Sequence, residues 1–270
     1  MKALVTNLKK HSKLYSIFFK HSLMRLMEYR FDFFFRALPT TLSLLINVFM
    51  VTFIYSQVKE IAGWSKEELF LLLGTYNIVW GIFFGLFIHN LGQVNNYINT
   101  GELDLFLTRP VSSQFMVSFR NHIDFGEAAT FIFGIVLVIL SLGKMGITVP
   151  LLSVILYCFL ILISVILSYS LWLMSVTFSF WFGRIREIHE VFISVFAVVK
   201  YPIDIFPNQL KILFTYFIPL GVLVTIPSRF LLKTIEPKFI IFSFLISLVF
   251  LLLSNLFWNF GLRYYKSASS

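Results

Sequence analysis

Charged residues and cysteine are scarce in this sequence. Asp, Glu, Lys and Arg together make up 13% of the 270 residues, and hydrophobic residues make up 58%. Soluble domains are about 25% charged, and a soluble fold this apolar would expose large patches that promote aggregation. The composition therefore excludes an ordinary soluble domain. The single cysteine, Cys158, cannot form an intrachain disulfide, so the redox compartment stays undetermined.

Motifs for catalysis, nucleotide binding and metal binding are also missing. The only Gly-Lys pair, Gly143-Lys144, lacks both the first glycine and the Ser or Thr of a phosphate-binding loop. The five histidines show no zinc-ligand spacing, and no Gly-x-Ser-x-Gly turn occurs. We therefore expect no enzyme activity, cofactor or metal in this chain. In a membrane protein, Lys and Arg near the ends of the spans set the orientation in the bilayer. We therefore attribute the net charge of +9 to topology and expect no nucleic acid partner.

What the sequence does contain is long apolar runs. A bilayer core about 30 Å thick requires roughly 20 helical residues per span. Hydropathy predicts six spans, at about 33–56, 68–92, 115–142, 150–181, 189–206 and 238–261. We therefore expect an all-α, polytopic membrane protein with six transmembrane helices, in which residues 1–270 form a single transmembrane domain.

The segment before the last span is interrupted by prolines. Pro202 and Pro207 break the fifth predicted span, and Pro219 lies in the apolar run that follows it. Residues 207–228 are therefore either a second broken span or a re-entrant hairpin, since irregular backbone at membrane depth is tolerated where protein or a water-filled cavity covers it. We favour the hairpin because it leaves an even number of spans and both termini on one side.

Basic residues predict the orientation. With both termini inside the cell, fourteen Lys and Arg lie on the inner side and eight on the outer side, as the positive-inside rule favours. Within residues 1–32, the apolar side chains from Leu8 to Met27 recur at near-helical spacing, with lysines and arginines between them. This pattern predicts a basic amphipathic helix in the inner headgroup layer, and a loosely ordered basic tail is the alternative.

Only a few of the charged and small residues in the predicted spans are candidates for gating or helix packing. Asp124 and Glu127, at positions i and i+3, are expected to share a helix face near the predicted inner interface. They are a solvated helix entry or a pair with Arg120; the alternative is a gating or partner contact. Gly81 and Gly85 form a Gly-x-x-x-Gly pair that predicts a close helix contact. We expect that contact within the subunit, and the alternative is a dimer contact.

The predicted cytoplasmic loop at 93–114 contains a short amphipathic pattern. Leu103, Phe106 and Leu107 are expected on one face, Glu102, Asp104 and Arg109 supply charge, and Pro110 ends the helix. Such a helix suits docking into a groove on a soluble partner. The alternative is an interfacial helix that rests on lipid.

The same loop carries a family resemblance. The runs Thr100-Gly-Glu-Leu-Asp and Leu107-Thr-Arg-Pro resemble the first cytoplasmic loop of type-2 ATP-binding-cassette (ABC) exporter permeases, in particular a six-span branch of about this length. The string Tyr201-Pro202, Phe206-Pro207, Phe217-Ile218-Pro219 and Pro227-Ser228 is similar to that branch too. The resemblance covers nearly the whole chain, and the similar segments follow one another in the same order as the spans.

The resemblance implies a function. It implies a permease subunit in a bacterial cell membrane, driven by a separate ABC ATPase subunit that holds ATP and Mg, and paired with a second copy or a paralogous permease. The coupling contact then falls on Gly101, Glu102, Leu103, Asp104, Phe106, Leu107, Arg109 and Pro110. The alternatives are an ion-gradient-driven secondary transporter, which requires more intramembrane ionisable residues, and a non-transporting scaffold.

Overall fold

The computed structural model describes residues 2–28, 30–120, 123–182 and 186–265, and within these ranges the regular structure is helical. The longer helices are α1 (Lys2–Glu28), α2 (Arg30–Gln57), α3 (Lys66–Phe83), α8 (Ala128–Lys144), α9 (Leu151–Thr177), α10 (Arg186–Val198) and α14 (Lys238–Leu262). The short ones are α4 (His89–Gly92), α5 (Val94–Thr100), α6 (Glu102–Leu107), α7 (Ser113–Phe119), α11 (Asn208–Ile212), α12 (Leu220–Leu223) and α13 (Thr225–Leu231).

Five helical stretches in the described part of the chain are long and apolar enough to cross a membrane. They are Leu38–Gln57, Lys66–Thr100, Phe125–Lys144, Leu151–Phe180 and Lys238–Leu262. The prediction of an all-α, polytopic membrane protein is therefore confirmed. The predicted fifth span, 189–206, is not one continuous helix, because α10 ends at Val198 after 13 residues. A sixth crossing stays a prediction.

Two helix boundaries differ from the predicted span limits. The second stretch was expected to end near residue 92, but helical structure continues through α4 and α5 to Thr100. The third was expected to begin at residue 115, but residues 113–119 form the separate helix α7 and the spanning helix begins at Phe125. Apolar composition alone does not reveal this second helix end, since Phe115, Met116 and Val117 are as apolar as a span and yet belong to α7, which ends at Phe119.

Helix α3 is the centre of the bundle. Ser65 and Glu68 form a capping box at its start, in which each side chain binds the other's backbone N–H. Packing is closest against α8, where a Cβ on Gly74 would lie 2.8 Å from the Gly134 carbonyl oxygen and one on Gly134 would lie 2.6 Å from that of Gly74. Only glycine therefore permits the two backbones to approach this closely.

A π-helical turn at Phe84–Ile88 interrupts the stretch from α3 to α4. The Asp124 backbone N–H donates to the carbonyl of Gly85 at 2.8 Å, and a Cβ on Gly81 would lie 2.8 Å from the Phe131 nitrogen. Both glycines of the predicted pair thus contact the start of the third spanning helix within this chain. π-Turns of this kind are frequent at functional sites.

Helix α1 lies along α7. The rings of His11 and Tyr15 pack edge-on against Phe115 and Phe119, with centroids 4.6 and 5.5 Å apart. Further along, the Ser22 hydroxyl accepts a hydrogen bond from the Ile123 N–H at 3.1 Å. The N-terminal basic segment is therefore an ordered helix over Lys2–Glu28; its predicted place in the headgroup layer stays a prediction.

The segment after α10 changes direction at its prolines. Pro202, Pro207 and Pro219 stand immediately before the 3₁₀ turn Ile203–Ile205, helix α11 and helix α12 respectively, as the fixed proline backbone favours. Helices α12 and α13 are largely buried, and the Ser164 hydroxyl on α9 donates to the Val222 carbonyl at 3.1 Å. Residues 207–228 therefore form a chain of short helical pieces, the last of which pack against α9; that they are a re-entrant hairpin stays a prediction.

Candidate functional site

The stretch from Lys66 to Thr100 separates two ends of the bundle. We call the end that carries α5, α6 and α7 the α6 end. The opposite end, where residues 58–65 meet residues 203–217, we call the Asp204 end. Each end has its own polar groups, and each carries residues that the sequence singled out.

Gly101 sets the geometry of the α6 end. Its φ of 75° is the left-handed conformation that glycine adopts readily, and it joins α5 to α6 without a longer loop. The Asp104 N–H then donates to the Gly101 carbonyl at 3.1 Å to begin α6. Helix α6 ends at Leu107 with Thr108 as its cap, so Arg109 and Pro110 follow the helix and are exposed.

The inner face of α6 is buried against its own chain. Leu103 and Phe106 are fully buried. The Phe106 ring packs edge-on against Tyr97 with centroids 5.0 Å apart, and the Arg120 guanidinium lies 4.6 Å from the Phe106 ring centroid. Packing of this kind stabilises a helix that would be too short to be stable alone.

Leu107 differs from the expectation. It was predicted to share a face with Leu103 and Phe106, but its side chain is 43% exposed, and that of Leu105 is 56% exposed. Glu102 and Arg109 are exposed beside them. The face that α6 presents away from the bundle is thus apolar in its middle and charged at both ends.

Helix α7 connects α6 to the spanning helices. Its Gln114 and Ser118 side chains hydrogen-bond the Tyr169 hydroxyl of α9 at 3.0 and 2.9 Å. The indole N–H of Trp258 on α14 donates to the Ser113 hydroxyl at 3.3 Å. Helix α7 is therefore joined to two spanning helices, α9 and α14, by hydrogen bonds between side chains that are largely buried.

The C-terminal end of α14 also reaches this region. Burial raises the pKa of the Tyr265 hydroxyl to about 12, and the neighbouring Asp104 carboxylate adds to the rise. A carboxylate disfavours a second negative charge close to it. Asp104, predicted as a coupling residue, is thus partly engaged by its own chain, whereas Glu102 is exposed.

A single carboxylate organises the Asp204 end. The Asp204 side chain is 9% exposed and pairs with Lys211 and Arg229, both at 2.5 Å. The Trp64 indole N–H donates to the same carboxylate at 3.1 Å. Burial by itself raises the pKa of Asp204, but the hydrogen bonds from Lys211 and Trp64 and the charge of Arg229 outweigh burial and hold the pKa below its usual value.

Asp124 and Glu127 do not share a helix face. Asp124 lies before the 3₁₀ turn Phe125–Glu127, where its carboxylate accepts from the Gly126 N–H at 2.9 Å, and it pairs with His89 at 3.1 Å. Glu127 is half-buried beside a cavity. The predicted i, i+3 arrangement is wrong because Asp124 caps the turn and stands outside the helix.

The fold and these two ends define a multi-pass helical membrane protein with a short helix held across one end of its bundle. The sequence profile of the ABC-2 family transporter proteins matches residues 41–269. The chain therefore belongs to the ABC-2 transporter family, as the resemblance implied, and is a membrane permease component. Comparison with curated proteins and with solved structures gives no match. Membrane domains of this family work with ABC ATPase partners.

Proposed function

We propose that this chain is the transmembrane permease subunit of an ABC exporter, and that the exposed face of α6 is where a separate ATPase subunit docks. The observation that carries the proposal is the two-sided construction of α6. Leu103 and Phe106 fix it to the bundle, while Leu105 and Leu107 remain exposed. In a monomer, exposed leucines on a short helix favour a partner surface.

Force transfer follows from these contacts. ATP and Mg bind to the partner subunit, and its closure pushes on α6. The displacement passes through Phe106 and Arg120 to α7, and from α7 to α9 and α14. The partner must bind the two arrangements of α6 with different affinity, since binding that is equal in both shifts nothing. This chain then provides the substrate pathway and carries out no covalent chemistry.

A dimer in the plasma membrane completes the proposal. Helix α2 exposes Leu42, Leu45, Phe49 and Phe53, a face that suits lipid or a second permease, either a copy or a paralogue. With α6 in the cytoplasm, both termini are cytoplasmic if the number of crossings is even. The family match and the α6 face support this arrangement in preference to an ion-gradient-driven transporter or a scaffold.

Co-purification tests the proposal first. The chain is purified from its native membranes in mild detergent, and retained proteins are identified by mass spectrometry. An ABC ATPase subunit retained in a stable complex is the expected result. Transport by the purified chain, reconstituted without any nucleotide-hydrolysing subunit, would refute the proposal.

A charge reversal at α6 tests coupling. Glu102→Lys is expected to reduce stimulation of the partner's ATPase about tenfold while membrane insertion and thermal stability stay unchanged, because Glu102 is exposed. Glu60→Lys is the matched control, since Glu60 is exposed at the Asp204 end. Equal coupling in the two variants would contradict docking at α6.

A further inference from the structure

A cavity of about 360 Å³ with both polar and apolar walls lies between α2, α3, the start of α8 and the turn that follows α10. Its walls include Tyr76, Asn77 and Trp80 on α3, Thr130 on α8, and the side chains of Glu127 and Lys200. A volume of this size suits a small ligand or the polar part of a larger one. None of these residues belongs to the α6 end or to the Asp204 end.

Two oxygen atoms at this cavity have spare hydrogen-bonding capacity. Glu127 Oε2 and Thr130 Oγ1 are both buried, and within the described residues neither has a partner at good hydrogen-bond geometry, although the Glu127 and Thr130 side chains interact with each other. Thr130 as a whole is only 3% exposed. Because leaving a buried polar group unsatisfied costs roughly 1–3 kcal/mol, these two oxygens favour a ligand that can hydrogen-bond them.

Lys200 also lines the cavity, level with the candidate spanning stretch Lys66–Thr100. Its ammonium lies 5.5 Å from the Tyr76 ring centroid, and Tyr76 is about 15 Å along α3 from Lys66 at a rise of 1.5 Å per residue. Within the described part of the chain, Lys200 forms no ion pair. Ionisable groups at this depth typically line substrate or ion pathways.

The cavity thus offers one cation and one anion that do not pair with each other. Glu127 can accept from an ammonium group, with Thr130 beside it, and Lys200 can donate to a phosphate or carboxylate. Trp80, which stacks between Tyr76 and Phe84 with ring centroids 5.3 and 3.8 Å away, supplies an aromatic wall for the apolar part of the molecule. A purely anionic or purely cationic ligand would leave one of the two charged groups without a partner.

We propose that this cavity binds a zwitterionic group that carries an ammonium and a phosphate, oriented with the ammonium at Glu127 and the phosphate at Lys200. The inference deepens the proposed function, on which it rests, by naming the chemistry of the cargo. Two sources share this chemistry: a membrane phospholipid headgroup of the ethanolamine type, and a water-soluble phosphoethanolamine compound.

Binding is tested on the full chain in detergent by native mass spectrometry. The probes are phosphatidylethanolamine, glycerophosphoethanolamine and, as the anion without an ammonium, phosphatidylglycerol. We expect one equivalent of an ethanolamine probe to bind, and Glu127→Gln and Lys200→Met each to weaken it about tenfold. Tight binding of phosphatidylethanolamine alone identifies a lipid source, and binding of glycerophosphoethanolamine identifies a soluble one.

Matched controls are Glu60→Gln and Lys144→Met, which remove the same charges from exposed positions outside the cavity. Unchanged affinity in both cavity variants, or equal binding of phosphatidylglycerol, would overturn the assignment. If Lys200→Met does not fold, Glu127→Gln decides alone, because it preserves side-chain size. The assay contains no ATPase, so failure of the exporter proposal appears in co-purification and failure of this inference appears here.

Discussion

At the Asp204 end one buried carboxylate joins three segments of the chain, whereas at the α6 end aromatic rings hold a short helix whose opposite face is exposed. Asp204 binds Trp64, Lys211 and Arg229, and its partners are all within the chain. Helix α6 is fixed through Phe106 but leaves Leu105 exposed. The difference indicates that the Asp204 end stabilises the bundle and that the α6 end is arranged for a contact outside it.

The largest effect is expected from Phe106→Ala. Truncating a fully buried phenylalanine costs about 3–5 kcal/mol, so we expect a marked fall in Tm together with loss of ATPase stimulation. Leu105→Ala on the same helix removes an exposed side chain; it should leave Tm unchanged and weaken retention of the ATPase. Equal changes in Tm for the two variants would break the distinction between the faces of α6.

Asp204→Asn is expected to have the next largest effect. Breaking a buried ion pair costs about 3–5 kcal/mol, but the Lys211 and Arg229 side chains are 43% and 36% exposed and regain water, so we expect about 2 kcal/mol. Thermal unfolding in detergent measures it. ATPase coupling per folded molecule should persist, and a selective loss of coupling without loss of Tm would reverse the roles assigned to the two ends.

The same group gives a pH dependence. The pKa of Asp204 is lower in the folded protein than its usual value of about 4. Its stabilisation is therefore present above that value and is lost as the pH falls through the lower folded-state pKa. We expect the Tm difference between wild type and Asp204→Asn to be largest at neutral pH and to shrink near pH 3. A difference that grows with acidity would contradict the ion pairs.

The smallest effect is expected from Arg120→Met. The guanidinium lies 4.6 Å from the Phe106 ring centroid, and a contact of this kind contributes about 0.5–2 kcal/mol. The methionine keeps an apolar chain against the ring, so Tm should fall slightly while coupling falls severalfold as α6 loosens. If coupling is unaffected, force does not pass from α6 to α7 through this residue.

Composition and turn chemistry predict much of the architecture. Apolar runs located most of the long helices, and Pro110 predicted that α6 ends before it, because proline disfavours helix in the residue that precedes it. The left-handed turn at Gly101, which begins α6, was not predicted. The family itself followed from the residues around Glu102. Span boundaries were less predictable, because α7 contains the apolar run Phe115–Val117 and comes shortly before the spanning helix that begins at Phe125.

Contacts between distant segments could not be predicted from the sequence. Asp204 is 140 residues from Trp64, and no local sequence pattern predicts the hydrogen bond between them. The close approach of α3 and α8 at Gly74 and Gly134 was missed as well, since a single glycine in a helix carries no spacing signal. Lys200 was counted only as a charge that sets orientation, although it lies at a cavity with Glu127.

The most direct test places a photocrosslinking amino acid at each end of the bundle in the membrane-embedded complex. Position 105 reports on the exposed face of α6, and position 58, also exposed, reports on the Asp204 end. A crosslink from position 105 to the ATPase subunit, with none from position 58, is the predicted result. A crosslink from position 58, or none from position 105 in a complex that hydrolyses ATP, would contradict docking at α6.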